Sequence, residues 1–364
     1  MPLLFTPLTL RGLTLANRIA VAPMCQYQAV EGVVGEWHRV HYGGLAQGGA
    51  GLVLTEATSV VPEGRISTGD LGIWDDEQVE GLAGLVRFMR SMGAVPGIQL
   101  AHAGRKASHA APWVGGDTLR PGEGGWVPVA PTALAFDPAD AAPLALDEAG
   151  IAGVVAAFAA AARRALAAGF QVVEVHAAHG YLLHQFLSPL SNQRSDGYGG
   201  SFENRTRLAR EVVTAVRSVW PETLPLFVRI SATDWAEGGW DLPQSVELAR
   251  TFKALGVDLV DCSSGGLVPT QKLAPGPGYQ VPFAAAVRAG ADLPTGAVGL
   301  ITDPTQAEAI LTEGQADLIL LGRELLRDPR WPLRAGQFFG VEAPWPPSYI
   351  RAARGPASLR QPLS

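Results

Sequence analysis

The sequence predicts an α/β fold, specifically a (β/α)8 TIM barrel, and three observations carry that expectation. Eight apolar, strand-like runs recur at 19–24, 51–57, 95–100, 172–175, 226–231, 259–263, 297–300 and 318–322. Amphipathic stretches separate most of them, as at 77–92, 147–168, 203–220, 242–255 and 304–313. The length, 364 residues, is that of a barrel carrying insertions. Strand and helix in regular alternation imply a parallel sheet closed on itself. A doubly wound sheet would need a Gly-x-Gly-x-x-Gly turn after the first strand, where this chain has Met24-Cys25-Gln26-Tyr27.

Residues 5–17 read as a short hairpin turning at Arg11-Gly12, placed to cap the N-terminal end of the barrel. A Gly-, Pro- and Ala-rich insertion, 103–146, follows the third strand, and a loop of that length is expected to serve as a lid. The apolar run 149–162 follows Asp147-Glu148 and ends in Arg163-Arg164, the charge order that suits the dipole of a soluble helix. No linker divides the chain, so 1–364 is expected to form one domain. Its tail, 341–364, is too polar to bury itself and is read as an arm that reaches a partner subunit.

Hydrophobic residues make up 47% and charged residues 17%, enough for a large core. The net charge is −6 with no basic stripe, which argues against nucleic-acid binding. Two cysteines, Cys25 and Cys262, are too few for a disulfide framework, and no Cys-x-x-Cys is present for an iron–sulfur cluster. The first residues lack the basic and apolar regions of a signal peptide. A cytoplasmic protein with no membrane partner is the expectation.

The most informative stretch is 172–181. A valine-rich run leads directly into His176, His179 and Tyr181. At the C-terminal end of a barrel strand, two imidazoles can donate to one oxygen while a phenol supplies a proton. Three readings stand open on these residues alone: oxygen-binding catalysis, a zinc site including Glu174, and a purely structural role. Other strand ends narrow the choice. Gly299, Gly322 and Arg323 follow the last two strands, where barrels bind phosphate through backbone N–H groups. Arg229 ends the fifth strand, as a second cation or as half of a structural salt bridge. Gln99, on the third, offers both donor and acceptor to a pyrimidine edge. One cation for a phosphate and another for a ring that gains negative charge is what reduced flavin mononucleotide (FMN) requires. No side chain transfers hydride, so such chemistry needs the cofactor.

Across essentially its whole length the chain resembles the old yellow enzymes, in particular the bacterial thermophilic-like class. The resemblance is carried by the stretch 186–207, by Ala22-Pro23-Met24-Cys25-Gln26-Tyr27, by the run 99–106 and by Gly322-Arg323. It implies that Ala22, Pro23, Met24, Cys25, Ala57, Gln99, Arg229, Gly299, Gly322 and Arg323 hold FMN, with no metal. His176 and His179 would hold a carbonyl oxygen, Tyr27 would touch the substrate, and Tyr181 would be the proton donor. The implied reaction is ene-reduction. NADPH or NADH reduces FMN, flavin N5 passes hydride to Cβ of an α,β-unsaturated carbonyl compound, and Tyr181 protonates Cα. Asn192, Arg194, Asp196, Glu203 and Arg205 are expected to form a structural loop network. Members of the class are dimer-based, and Arg351 matches in position an arginine inserted into the neighbouring subunit's site, so a homodimer or homotetramer is expected. Two rivals remain: a metal-dependent lyase on Glu174, His176 and His179, and a flavin-binding protein without turnover.

Overall fold

The computed structural model describes residues 1–353, and residues 354–364 of the expected arm lie outside the described residues. Eight parallel strands close into a barrel in strict chain order: β1 (Ile19–Val21), β2 (Leu52–Ser59), β3 (Val95–Ala101), β4 (Val172–Ala177), β5 (Leu226–Ser231), β6 (Leu259–Ser263), β7 (Thr295–Ala297) and β8 (Leu318–Leu321). β8 pairs with β1, so no edge is left open. Helices α1 (Glu36–Gln47), α2 (Glu77–Ser91), α3 (Glu148–Ala168), α4 (Leu182–Leu187), α5 (Phe202–Val219), α6 (Leu242–Ala254), α7 (Val281–Ala291) and α8 (Pro304–Thr312) form the outer ring. Asp147, Ser201, Asp241 and Asp303 each accept a backbone N–H at the start of α3, α5, α6 and α8, which sets where those helices begin. Two short helices, α9 (Arg323–Arg327) and α10 (Trp331–Phe339), follow β8.

Most strand bounds fall within two residues of expectation, and β1 and β7 depart furthest. β1 stops at Val21 rather than 24, and β7 spans Thr295–Ala297 rather than 297–300. Gly299 (φ 124°) and Leu300 (φ 52°) leave the extended region, so neither can continue a ladder. α3 fills the expected stretch 147–168, with Asp147 as its cap. By length and composition alone it could cross a membrane, but Ile151, Val154, Phe158, Ala161, Ala162 and Ala165 are buried in the core.

The hairpin forms as Leu8–Leu10 against Leu13–Leu15, antiparallel, with Leu10 opposite Leu13 across Arg11-Gly12. Its four leucines alternate inward and join Ala20, Leu52, Leu54, Val95, Val172, Phe227, Leu259, Leu318 and Leu320 in one buried cluster. Because side chains alternate along a strand, that cluster is the barrel lumen, and the hairpin is its apolar plug. Towards the C-terminal ends of the strands the lumen turns polar: Gln99, Glu174, His176, Arg229, Asp261 and Ser263 are all buried.

The loop network forms with one exception. Asn192 donates to the carbonyls of Phe186 and Tyr198, both at 2.7 Å. Arg194 pairs with Asp196 and donates to Pro131 and Leu146, while Arg205 donates to Leu187 and to Gln244. Glu203 is exposed and takes no part. It sits in the first turn of α5, where a carboxylate is favoured by the helix dipole.

Leu15→Ala tests the plug. Leu15 is 1% exposed, and removing a buried leucine side chain costs about 2–5 kcal/mol. A thermal midpoint several degrees below wild type is expected by calorimetry. An unchanged midpoint would mean that the hairpin is not part of the cooperative core.

Candidate active site

The site is built on the turn that leaves β4. His176 is the last inward-facing residue of the strand, and the N–H of Ala178 donates to its Nδ1 (3.2 Å). That bond places the ring proton on Nε2, so His176 presents a donor to the barrel mouth. His179 and Gly180 then both adopt positive φ, 58° and 75°. Gly180 has no alternative, since a Cβ there would stand 2.1 Å from the Gly266 carbonyl oxygen. His179 is a non-glycine residue in the left-handed region, a conformation that costs on the order of 1 kcal/mol and must be held. Ser231 Oγ accepts its N–H (2.9 Å), Lys106 Nζ donates to its carbonyl (2.9 Å), and Nε2 meets Ser263 Oγ (2.7 Å). The turn brings the two imidazoles to 5.1 Å, nearly perpendicular, with the Tyr181 ring also 5.1 Å from His176.

Behind the turn, His184 Nδ1 accepts the Gly180 N–H (2.9 Å), while Nε2 contacts Asp234 (2.8 Å). Asp234 is fully buried and also takes Ser188 Oγ and the N–H of Trp240. These bonds bind the turn after β4 to α4 and to the loop after β5.

Electrostatics follow from burial. His176 and His179 are held well below the ordinary histidine value, first by desolvation and then by the nearby charge of Arg229. Both are neutral at physiological pH. The Tyr181 phenol is pushed well up by burial, with Cys25, Tyr27 and Asp70 adding to the effect, so it keeps its proton. Burial likewise raises the Cys25 thiol, helped by Asp70 and Glu56.

The opposite side of the mouth carries 22–27. Glu56, buried on β2, accepts the Gln26 N–H (2.8 Å) and contacts Tyr42 Oη (3.2 Å), which anchors this loop. Tyr27 takes φ 54° and packs edge-on against Trp113 of the insertion at 5.9 Å. The same insertion delivers Phe136, whose ring lies 4.6 Å from Lys106 Nζ; that ammonium is also 5.2 Å from the Tyr181 ring. The insertion is therefore a wall of the mouth as well as a cover. Ala57 lies with Ala101, Ile66, Asp70 and Tyr181 around a small hollow.

A cavity of ≈ 180 Å³ opens beyond β7 and β8, lined by Arg229, Ser263, Gly299, Leu300, Gly322 and Arg323 among others. The Arg323 guanidinium has no side-chain partner among the described residues, and Gly299 sits where a Cβ would meet Gln280 at 3.0 Å. An unengaged cation beside closely approachable backbone suits a phosphate. Gln99 and Arg229 are less free than the sequence implied. Gln99 Nε2 donates to Glu174 (2.7 Å), and Arg229 Nε lies 3.0 Å from Asp261. Each keeps other polar atoms for a ring above. No three His, Cys, Asp or Glu side chains among the described residues are grouped to hold a metal ion. Glu174 faces Gln99 rather than a shared ligand position.

Arg351 stands apart. It is exposed on a short helix, Ile350–Ala353, whose neighbours pack on their own barrel: Tyr349 lies over Arg330 at 4.9 Å, and Gln337 donates to the Ala353 carbonyl. Lys106, Trp113 and Phe136 were not singled out by strand-end reasoning, whereas Glu56 and Ser263 stand at strand ends that it collected without giving them a role. Lys106 alone gave a signal, as one of three lysines in a chain that otherwise uses arginine.

A closed barrel with an unengaged arginine beyond its last strands and two neutral imidazoles beside a phenol suits a flavin oxidoreductase, the class to which its relatives assign the chain. Residues 3–339 match the NADH:flavin oxidoreductase / NADH oxidase family. An NADPH dehydrogenase of Geobacillus thermodenitrificans is 50% identical over 353 residues, 96% of this chain and 98% of that protein. Among solved structures, morphinone reductase in complex with tetrahydroNAD is similar at TM-score 0.77 and 32% identity, over 96% of this chain and 94% of that one. The old yellow enzyme homologue of Zymomonas mobilis is similar at 0.75 and 27%, over 95% and 97%. The chain belongs to this family, that of the old yellow enzymes. It is an NADPH-oxidising flavin oxidoreductase, and its cofactor is FMN.

Lys106→Met tests how the turn is held. The substitution keeps the buried stem but leaves the carbonyls of His179 and Gly266 without their donor, at a cost on the order of 1–3 kcal/mol. A lowered thermal midpoint is expected, and full wild-type stability would contradict the assignment.

Proposed function

We propose that the protein is an ene-reductase, reducing the activated C=C bond of α,β-unsaturated carbonyl compounds at the expense of NADPH. The observation that carries this reading is the pair of neutral imidazoles converging beside a protonated phenol. Bound FMN supplies the two-electron chemistry, taking electrons from the nicotinamide and passing them to an electron-poor alkene. Pro23, Met24, Cys25, Ala57, Gln99 and Arg229 would hold its ring, with Ala22 alongside, and Gly299, Gly322 and Arg323 its phosphate.

His176 donates from Nε2 to the substrate carbonyl oxygen. For His179 to donate as well, the Ser263 hydroxyl must give its proton to His179 Nε2, which leaves the ring proton on Nδ1. Two such donors stabilise the charge that builds on oxygen as the double bond is reduced. Tyr181 delivers its proton to Cα, and its raised pKa ensures that the proton is present. Tyr27, packed edge-on against Trp113, bounds the substrate from the other side. Glu174 is turned to Gln99 and is not grouped with His176 and His179 as a ligand set among the described residues, which favours this reading over the lyase. It favours turnover over mere flavin storage, because a carrier has no use for a buried proton donor.

A homodimer completed by Arg351 fits the exposed arginine and the polar tail, and a cytoplasmic location fits two free thiols and reliance on NADPH. Sedimentation of the active protein as a monomer would remove the dimer.

Stopped-flow mixing of the NADPH-reduced protein with cyclohexenone tests the chemistry. Loss of one oxyanion donor in His176→Ala should slow reoxidation about 100-fold, on the order of 3 kcal/mol. Tyr181→Phe should slow reoxidation while sparing reduction by NADPH. Wild-type reoxidation rates in both variants would end the assignment.

A further inference from the structure

One layer below the histidines the lumen holds two carboxyl groups to which the proposed reaction gives no role. Gln99, Glu174, Arg229 and Asp261 come from four consecutive strands, β3 to β6. The ladders set Gln99 opposite Glu174 and Arg229 opposite Asp261. A barrel lumen is ordinarily filled with branched apolar side chains. Here two carboxyl groups, each with no exposed surface, share one guanidinium. Glu174 Oε1 accepts from Gln99 Nε2, but Oε2 is buried without a partner, and neither oxygen of Asp261 makes an aligned hydrogen bond.

Charge counting makes the arrangement informative. Two ionised carboxylates against one cation would leave a bare negative charge sealed from water, which costs several kcal/mol or more. One carboxyl must therefore carry a proton. Asp261 sits against Arg229 and is the better-compensated anion, leaving the proton to Glu174. Burial, with the Asp261 charge next, raises Glu174 to about 8 despite Arg229 and Gln99. The groups facing Glu174 are Gln99 on β3, Arg229 on β5 and Asp261 on β6; His176, on its own strand, is neutral.

We propose that Glu174 is a positioning residue that carries an exchangeable proton: it aims Gln99 and keeps the charge of Arg229 available to the bound flavin, so that its protonation is linked to flavin reduction. The inference rests on the assignment of Gln99 and Arg229 to the flavin ring. Negative charge gained by the ring disfavours an ionised Glu174 nearby, so its pKa is higher in the reduced protein. Between the two values, reduction by two electrons takes up one more proton from water than it does at lower pH, and that proton goes onto the Glu174 carboxylate.

The test is the midpoint potential of the FMN-loaded protein as a function of pH, by dye equilibration. Wild type should steepen by one proton per two electrons above about pH 8, while Glu174→Gln, permanently neutral, should match wild type at neutral pH and lack the steepening. A straight wild-type plot, or a Glu174→Gln plot that steepens identically, overturns the proposal. Should Glu174→Gln fail to retain FMN, the infrared difference spectrum of the wild-type protein on reduction at alkaline pH decides. A carboxylic C=O band shifted in D2O and by labelled glutamate is expected, and its absence is a refutation. Arg229→Lys separates the underlying assignment. If that variant leaves the potential unmoved, Arg229 does not face the ring. If it moves the potential but Glu174→Gln leaves the pH plot unchanged, only the role of Glu174 falls.

Discussion

Everything chemical in this molecule depends on one backbone constraint, the left-handed turn at His179 and Gly180. β4 delivers His176 to the mouth in an ordinary extended conformation, but a strand continuing outward would carry the next imidazole away. Two successive residues at positive φ fold the chain back, so that His176, His179 and Tyr181 face one volume. The strain on His179 is offset by bonds from three other parts of the chain: Ser231 on β5, Ser263 on β6 and Lys106 at the start of the insertion. Glycine at 180 is required by the Gly266 carbonyl, and the His184–Asp234 pair closes the arrangement from behind.

The second organising feature is a polarity gradient along the barrel axis. Leucines of the hairpin and small or branched residues of the strands fill the N-terminal half. Above them lies the layer of Gln99, Glu174, Arg229 and Asp261, and above that the histidines. Burying charge is costly unless it is compensated, so the polar layer is confined to where a cofactor can share it. Burial then acts in opposite senses on the two functional types. It keeps the imidazoles neutral and the phenol protonated, which are the states that oxygen binding and proton donation need.

Much of this was legible in the sequence because period and chain order carry it. Eight apolar runs fixed the strand count, and inward alternation placed His176, Arg229 and Gln99 at one end. What escaped was set by tertiary contact. β7 ends early because Gly299 and Leu300 turn, which no hydropathy pattern encodes. Glu203 looked like part of the hydrogen-bonded network yet stands exposed in the first turn of α5, favoured by its own backbone N–H, by Ser201 and by the charges of Arg210 and Arg205. Lys106, Trp113 and Phe136 enter the site through a Gly- and Pro-rich insertion that has no periodicity to read. Glu174 and Asp261 were visible as acids in apolar strands, but only the ladders show that Glu174 lies against Gln99 and Asp261 against Arg229.

The central claim is that the protein offers two neutral imidazoles as hydrogen-bond donors to one oxygen. Nitrogen-15 NMR of histidine-labelled, FMN-loaded protein reads the protonation state and tautomer of each ring directly. The account predicts that His176 and His179 stay neutral through physiological pH, with the His176 proton on Nε2. A doubly protonated His176 or His179 near neutral pH, or a His176 proton on Nδ1, would contradict it.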